Sequence, residues 1–178
     1  MSKNYIKKLC ICSVLAALYV ALEWIASTFG KIAFLDNYQI PISCFPLILA
    51  SVMFGFSWGT ITAIVGSFIS QLSYGISWNT LLWMAPTVIY SMSVALLYLA
   101  FHKKDKPLIL GVQFFISSIL LSCLNTLAMY LSNWIADLSN GLLKIFLPIK
   151  IGAGIVFAFI FAFIIPIVIK RFKKILKL

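Results

Sequence analysis

Long apolar stretches separated by short polar breaks run through the whole chain. The stretches are continuous and rich in Leu, Ile, Ala and Phe, without the strict alternation of a barrel strand. Because backbone groups inside a bilayer must be satisfied within their own segment, such runs predict helices. The breaks divide the chain into six transmembrane helices near residues 9–29, 41–55, 59–73, 80–101, 107–132 and 149–169.

The breaks themselves are short and rich in Gly and polar residues. Gly30 and Lys31 are expected to end the first helix, and GFSWG (55–59) predicts a tight turn between the second and third. The segment NWIADLSNGLLKIFLP predicts a connection between the fifth and sixth helices. The first apolar run is long enough to span a bilayer and has no convincing small-residue cleavage site. We therefore interpret it as a transmembrane helix and not as a signal peptide.

Composition supports a membrane protein. Of the 178 residues, 63% are hydrophobic and 10% are charged, which is too few polar side chains for the surface of a soluble domain. The net charge of +10 comes from basic residues that flank the apolar runs, which argues against a nucleic-acid-binding face.

The positions of the basic residues predict the orientation. With a cytoplasmic N-terminus, most of them face the cytoplasm, as the positive-inside rule requires. We therefore predict one all-α domain, residues 1–178, that is an integral membrane bundle of six transmembrane helices with both termini cytoplasmic. The residues expected inside are Lys3, Lys7, Lys8, Lys103, Lys104, Lys106, Lys170, Arg171, Lys173, Lys174 and Lys177.

The sequence contains no recognisable catalytic or metal-binding constellation. Its acids are scattered, its single histidine, His102, lies in a basic loop, and its four cysteines form no CxxC pair. No nucleotide-binding motif is present. We therefore predict a protein that is not an enzyme and has no metal or cofactor. If the protein moves a solute against its concentration gradient, the energy must come from another protein.

Polar and aromatic side chains concentrate in the loops predicted to face outside. The tryptophans there would form an interfacial belt, or a lid and pocket for a small polar solute. Glu23 in the first helix would pair with Lys31 or Lys150, or accept hydrogen bonds from a ligand. Either lysine would hold a ligand carboxylate. The candidate ligand-binding residues are Trp78, Asn79, Trp83, Asn37, Tyr38, Gln71, Glu23, Asn125, Lys150 and Lys31.

Three helices carry small residues three or four positions apart. Such strips let transmembrane helices approach closely. On the third helix we predict packing within the bundle. The strips are Ser13, Ala17 and Ala21 on the first helix, Gly59, Ala63, Gly66 and Ser70 on the third, and Gly154, Ala158 and Ala162 on the sixth.

Two segments resemble a known family. AALYVA matches an Ala-x-x-x-Ala pattern at Ala17 and Ala21, and IPISCFPLILASVMFGFSWGTITAIVGSFISQL resembles a Pro-rich second helix followed by a Gly-bounded turn, with Pro46, Gly55 and Gly59 at the matching positions. Together with the chain length and predicted topology, these features resemble the S components of energy-coupling factor (ECF) vitamin transporters. The folate/pantothenate-type subgroup is the most similar.

The resemblance implies a function. An S component in a bacterial plasma membrane would bind a water-soluble vitamin from outside and dock on a transmembrane T subunit driven by two cytoplasmic ATPases. Ser13, Ala17 and Ala21 would form the docking face. The folate-type subgroup often has an arginine in the fourth helix and a basic residue near the end of the first. Here the fourth helix has no Arg and the first carries Glu23. Pantothenate- and pyridoxine-like ligands are therefore as plausible as folate-like ones. The alternatives are a scaffold or pore-type protein without a ligand and, less favoured because its acids are scattered, a membrane-embedded transferase.

Overall fold

The computed structural model describes residues 3–32, 41–73, 75–101, 106–135 and 141–176. Nearly all of them are helical, and none of them lies in a strand, which confirms the all-α prediction. The elements are α1 (Lys3–Ile32), a 3₁₀ helix (Pro41–Cys44), α2 (Phe45–Phe54), α3 (Phe56–Leu72), α4 (Asn79–Ala100), α5 (Pro107–Ile135) and α6 (Gly141–Leu176).

Several of these helices are long and apolar enough to cross a bilayer, which takes about 20 residues. In the described part of the chain these are the segments Tyr5–Thr28, Asn79–Ala100, Pro107–Ile135 and Gly154–Lys174. The run Ile42–Phe54 is apolar but shorter, and α3 has 17 residues. The chain is therefore a membrane protein, while the spanning roles of α2 and α3 stay predictions.

α1 and α6 are much longer than the sequence predicted. α1 begins at Lys3 and continues through Gly30 to Ile32, so Gly30 does not end it. α6 begins at Gly141, within the predicted connection, and continues to Leu176. Apolar residues extend the helical pattern into that connection. Lys173 and Lys174 in the last turn of α6 interact favourably with the negative end of its dipole.

The turn between α2 and α3 is also shorter than predicted. Gly55 alone joins the two helices, with a φ of 87° that glycine adopts without steric cost. Its N–H donates to the Ser51 carbonyl over 3.1 Å, and its own carbonyl accepts from Gly59 over 3.0 Å. The remainder of GFSWG, from Phe56 onwards, is already part of α3.

α2 lies at the centre of the bundle. All residues from Pro46 to Val52 are buried, and α1, α3, α4 and α6 pack around the helix. Its Ile48 and Leu49 share one core cluster with Tyr90 of α4 and Phe114 of α5. These four neighbouring helices shield α2, which has only ten residues, from lipid.

The small-residue strips of α3 and α6 pack inside the bundle. A methyl group at Gly66 would lie 3.0 Å from the Tyr19 ring of α1, and Ala63 is fully buried. On α6, Ala158 is fully buried and a methyl group at Gly154 would meet the Ser122 hydroxyl of α5. The prediction of internal packing for α3 is confirmed.

Contacts between helices define the two ends of the bundle. Tyr5 of α1 contacts Trp58 of α3 edge to face, with ring centroids 5.1 Å apart. Lys173 of α6 donates a hydrogen bond of 2.7 Å to the Tyr98 hydroxyl of α4. Gly59, next to Trp58, packs against Ser51 of α2, which is hydrogen-bonded to Ser91 in the second half of α4. The start of α1 and the ends of α4 and α6 therefore lie at one end, which we call the basic end. The opposite end, where Glu23 and the 3₁₀ helix lie, is the Glu23 end.

Candidate functional site

Glu23 is buried inside an apolar bundle. Only 7% of its surface is exposed, and its carboxyl group lies within reach of the Ser43 side chain of the 3₁₀ helix. A carboxylate offers about four acceptor positions, of which the Ser43 hydroxyl can fill one. Because an ionised carboxylate is costly away from water, this position favours a further donor close to Glu23.

Polar side chains continue from Glu23 towards the middle of the bundle. The Cys44 thiol is within electrostatic range of both the Glu23 carboxyl and the Tyr90 hydroxyl. Tyr90 of α4 is fully buried, and its hydroxyl lies near that of Ser118 of α5. Neither hydroxyl oxygen has a hydrogen-bond partner among the described residues. We call Glu23, Ser43, Cys44, Tyr90 and Ser118 the polar track.

The first turn of α4 contributes another unpartnered acceptor at the Glu23 end. The Ser77 N–H donates to the Thr80 hydroxyl and the Thr80 N–H donates to the Ser77 carbonyl, each over 3.0 Å, which fixes the start of the helix. Between them, the side-chain oxygen of Asn79 is buried and has no hydrogen-bond partner in the described part of the chain. Trp83, one turn further, is half-buried on the same face.

A comparison with protein families decides the class of this protein. A family model described as ECF transporter, substrate-specific component, matches residues 7–172. The chain belongs to this family. S components are transport subunits that bind small substrates and work with a T subunit and ATPases, so this S component is not an enzyme. No curated protein and no solved structure gives a significant match to it.

The structure locates six of the ten predicted ligand-binding residues of this S component. Glu23 is buried, Trp78 is exposed, and the others are half-buried: Asn79, Trp83, Gln71 and Asn125. Gln71 lies in the last turn of α3, close in sequence to the start of α4. Asn37 and Tyr38 lie outside the described residues, as do the side chains of Lys31 and Lys150. The predicted pairing of Glu23 with either lysine therefore stays a prediction.

The predicted docking face of the S component is open. Ser13, Ala17 and Ala21 are all exposed on one side of α1. The Ser13 hydroxyl donates to the Leu9 carbonyl of its own helix over 3.0 Å, so the strip offers little hydrogen bonding to a neighbour. This strip differs from those of α3 and α6, which are covered by other helices of the same chain.

Most of the polar track was not among the predicted residues. Ser43, Cys44, Tyr90 and Ser118 are short or aromatic side chains that fit an ordinary membrane helix. A signal was nevertheless present in the spacing, since polar side chains recur on the buried faces of α4 and α5. These buried polar residues are Thr87, Tyr90 and Ser91 on α4 and Gln113, Ser117 and Ser118 on α5.

Proposed function

We propose that this S component captures a water-soluble vitamin or related micronutrient at the Glu23 end with high affinity. It then delivers the ligand inward when it docks on a T subunit and two ATPases in a bacterial plasma membrane. Pantothenate-, folate- and pyridoxine-like compounds are the candidate ligands. The observation that carries the proposal is the buried Glu23 carboxyl, which leads into a track of unpartnered hydroxyl groups.

The chemistry of the track fits such ligands. All three candidate compounds carry O–H or N–H donors, which a buried carboxylate accepts strongly. The hydroxyls of Tyr90 and Ser118 can donate or accept, and the side-chain oxygen of Asn79 accepts. A buried polar group without a partner costs about 1–3 kcal/mol. A ligand that reaches these groups gains that free energy on binding.

The exposed small-residue strip supports docking through α1. Transmembrane helices associate through close backbone packing, since apolar contact between them gains little over contact with lipid. Ser13, Ala17 and Ala21 provide such a surface without a strong polar group that would fix one orientation. We propose that the coupling helices of the T subunit pack on it.

Thermal-shift measurements with a panel of water-soluble vitamins test the ligand. A ligand present at 100 times its Kd stabilises the folded protein by about 2.7 kcal/mol. We expect one vitamin class to raise the Tm of the detergent-purified protein and the rest of the panel to leave it unchanged. An unchanged Tm with every vitamin would contradict capture and favour a scaffold without a ligand.

A further inference from the structure

An apolar groove of about 600 Å³ runs between α5 and α6 near the basic end. Gly111 of α5 lies so close to α6 that a methyl group there would be 2.9 Å from the Ala162 carbonyl oxygen. At the far end of the groove, the rings of Phe115 and Phe159 are 5.0 Å apart. The walls of the groove also include Leu108, Val112, Phe163 and Ile167.

Basic side chains surround the mouth of the groove. Lys106 directly precedes Pro107, which lines the groove on α5, and it is exposed. On α6, Lys170 and Arg171 follow Ile167 by three and four residues, so they continue the groove-lining face of the helix by one turn. Both are exposed. The apolar groove therefore opens onto a positively charged rim, formed by Lys106, Lys170 and Arg171.

We propose that the groove between α5 and α6 binds one anionic phospholipid. An acyl chain occupies the groove, and the headgroup phosphate lies on the rim of Lys106, Lys170 and Arg171. Basic pockets between transmembrane helices recognise such headgroups, and each Lys or Arg near the surface contributes about a fivefold gain in affinity. The site is separate from the polar track and from the strip on α1, so it goes beyond the proposed function.

Charge also distinguishes this lipid from other occupants. A second copy of the chain would bring an identical basic rim against this one, and like charges repel. A zwitterionic lipid such as phosphatidylcholine would fill the groove, but the cation of its headgroup offsets the phosphate charge that faces the rim. An anionic phospholipid satisfies both parts of the site with one molecule.

Native mass spectrometry of the protein from detergent micelles with equal phosphatidylglycerol and phosphatidylcholine tests the rim. We expect the wild type to retain one phosphatidylglycerol in preference to phosphatidylcholine. Lys170→Gln with Arg171→Gln should lower that preference about 25-fold. Lys7→Gln with Lys8→Gln removes two charges at the same end of the bundle but away from the groove, and it should leave the preference intact. Equal losses in both double variants would show diffuse attraction and overturn the proposal.

A second experiment tests whether the acyl chain occupies the groove. Val112→Trp fills the groove and leaves the rim unchanged, so retention of phosphatidylglycerol should be lost. Ile116→Trp, also exposed on α5 but outside the groove, should retain it. Inorganic phosphate at the concentration of the lipid should not displace it, because phosphate lacks the acyl chain. Unchanged retention in Val112→Trp, or displacement by inorganic phosphate, would contradict a lipid in the groove.

Discussion

The side chain of Ser51 on α2 packs directly against the backbone of Gly59 on α3. A methyl group added at Gly59 would lie 2.7 Å from the Ser51 α-carbon. Ser51 also donates to the Ser91 carbonyl of α4 over 3.1 Å, and the two serine hydroxyl oxygens are 2.8 Å apart. One buried serine thus fixes the distances among three helices, and the absence of a side chain at Gly59 makes this arrangement possible.

Replacing Gly59 by Ala should therefore destabilise the protein. The added methyl group meets backbone and a hydrogen-bonded side chain, so we expect a loss of about 1–3 kcal/mol, the usual cost of overpacking. Gly152→Ala is the matched control, because no atom of another described element lies within 4 Å of the methyl group there, and it should be neutral or stabilising. Thermal melting in detergent measures both. Equal Tm values for the two variants would contradict the packing of α2 on α3.

Glu23→Gln should weaken ligand binding while the protein stays folded. The amide has nearly the volume of the carboxyl group and can still accept a hydrogen bond from Ser43. Loss of a charge-assisted hydrogen bond costs about 1.5–3 kcal/mol, or a factor of roughly 10–150 in affinity. The Kd of the vitamin identified in the panel is the measurement. Wild-type affinity in this variant would remove Glu23 from the site.

Tyr90→Phe should separate a binding role from a structural one. The Tyr90 hydroxyl is buried without a partner among the described residues, so its removal should leave the empty protein as stable or slightly more stable. Ligand affinity should fall by a factor of about 2–12, the value of one neutral hydrogen bond.

Tyr98→Phe is the matched control for this experiment, since the Tyr98 hydroxyl accepts the hydrogen bond from Lys173 at the basic end. It should lower the free energy of unfolding by about 1 kcal/mol and leave the Kd unchanged. If Tyr90→Phe instead destabilised the empty protein and bound ligand normally, the role of Tyr90 would be structural.

Ala17→Trp should block docking without affecting capture. A large ring on the small-residue strip prevents close approach of another helix. We expect an unchanged Kd for the vitamin but loss of co-purification with the T subunit and at least a tenfold loss of uptake. Ala85→Trp places the same ring at an exposed position of α4 and should dock normally. Normal uptake by Ala17→Trp would refute docking through this strip.

The sequence predicted the helical class and the family because both depend on patterns along the chain. Apolar runs between short polar breaks indicate membrane helices wherever they occur. Its predicted boundaries were less accurate at Gly55 and Gly59. Both glycines resemble turn residues in sequence, but only Gly55 has a positive φ, whereas Gly59 is needed for contact with Ser51.

The sequence analysis identified the site only where a residue is unusual in itself. Glu23 stood out because a carboxylate is rare in a membrane helix. The hydroxyls of Tyr90 and Ser118 become part of one site only because α4 packs on α5, which brings together residues 28 positions apart in sequence. No periodicity within one helix reports that contact.

Uptake of radiolabelled vitamin into proteoliposomes tests the central claim most directly. The S component is reconstituted alone, or together with a T subunit and two ATPases, and ATP is supplied on the side of the ATPases. The account predicts binding in both cases but accumulation only in the complete complex. At vitamin concentrations below the wild-type Kd, accumulation should fall at least tenfold when Glu23→Gln replaces the wild type. Full accumulation by the S component alone would contradict it.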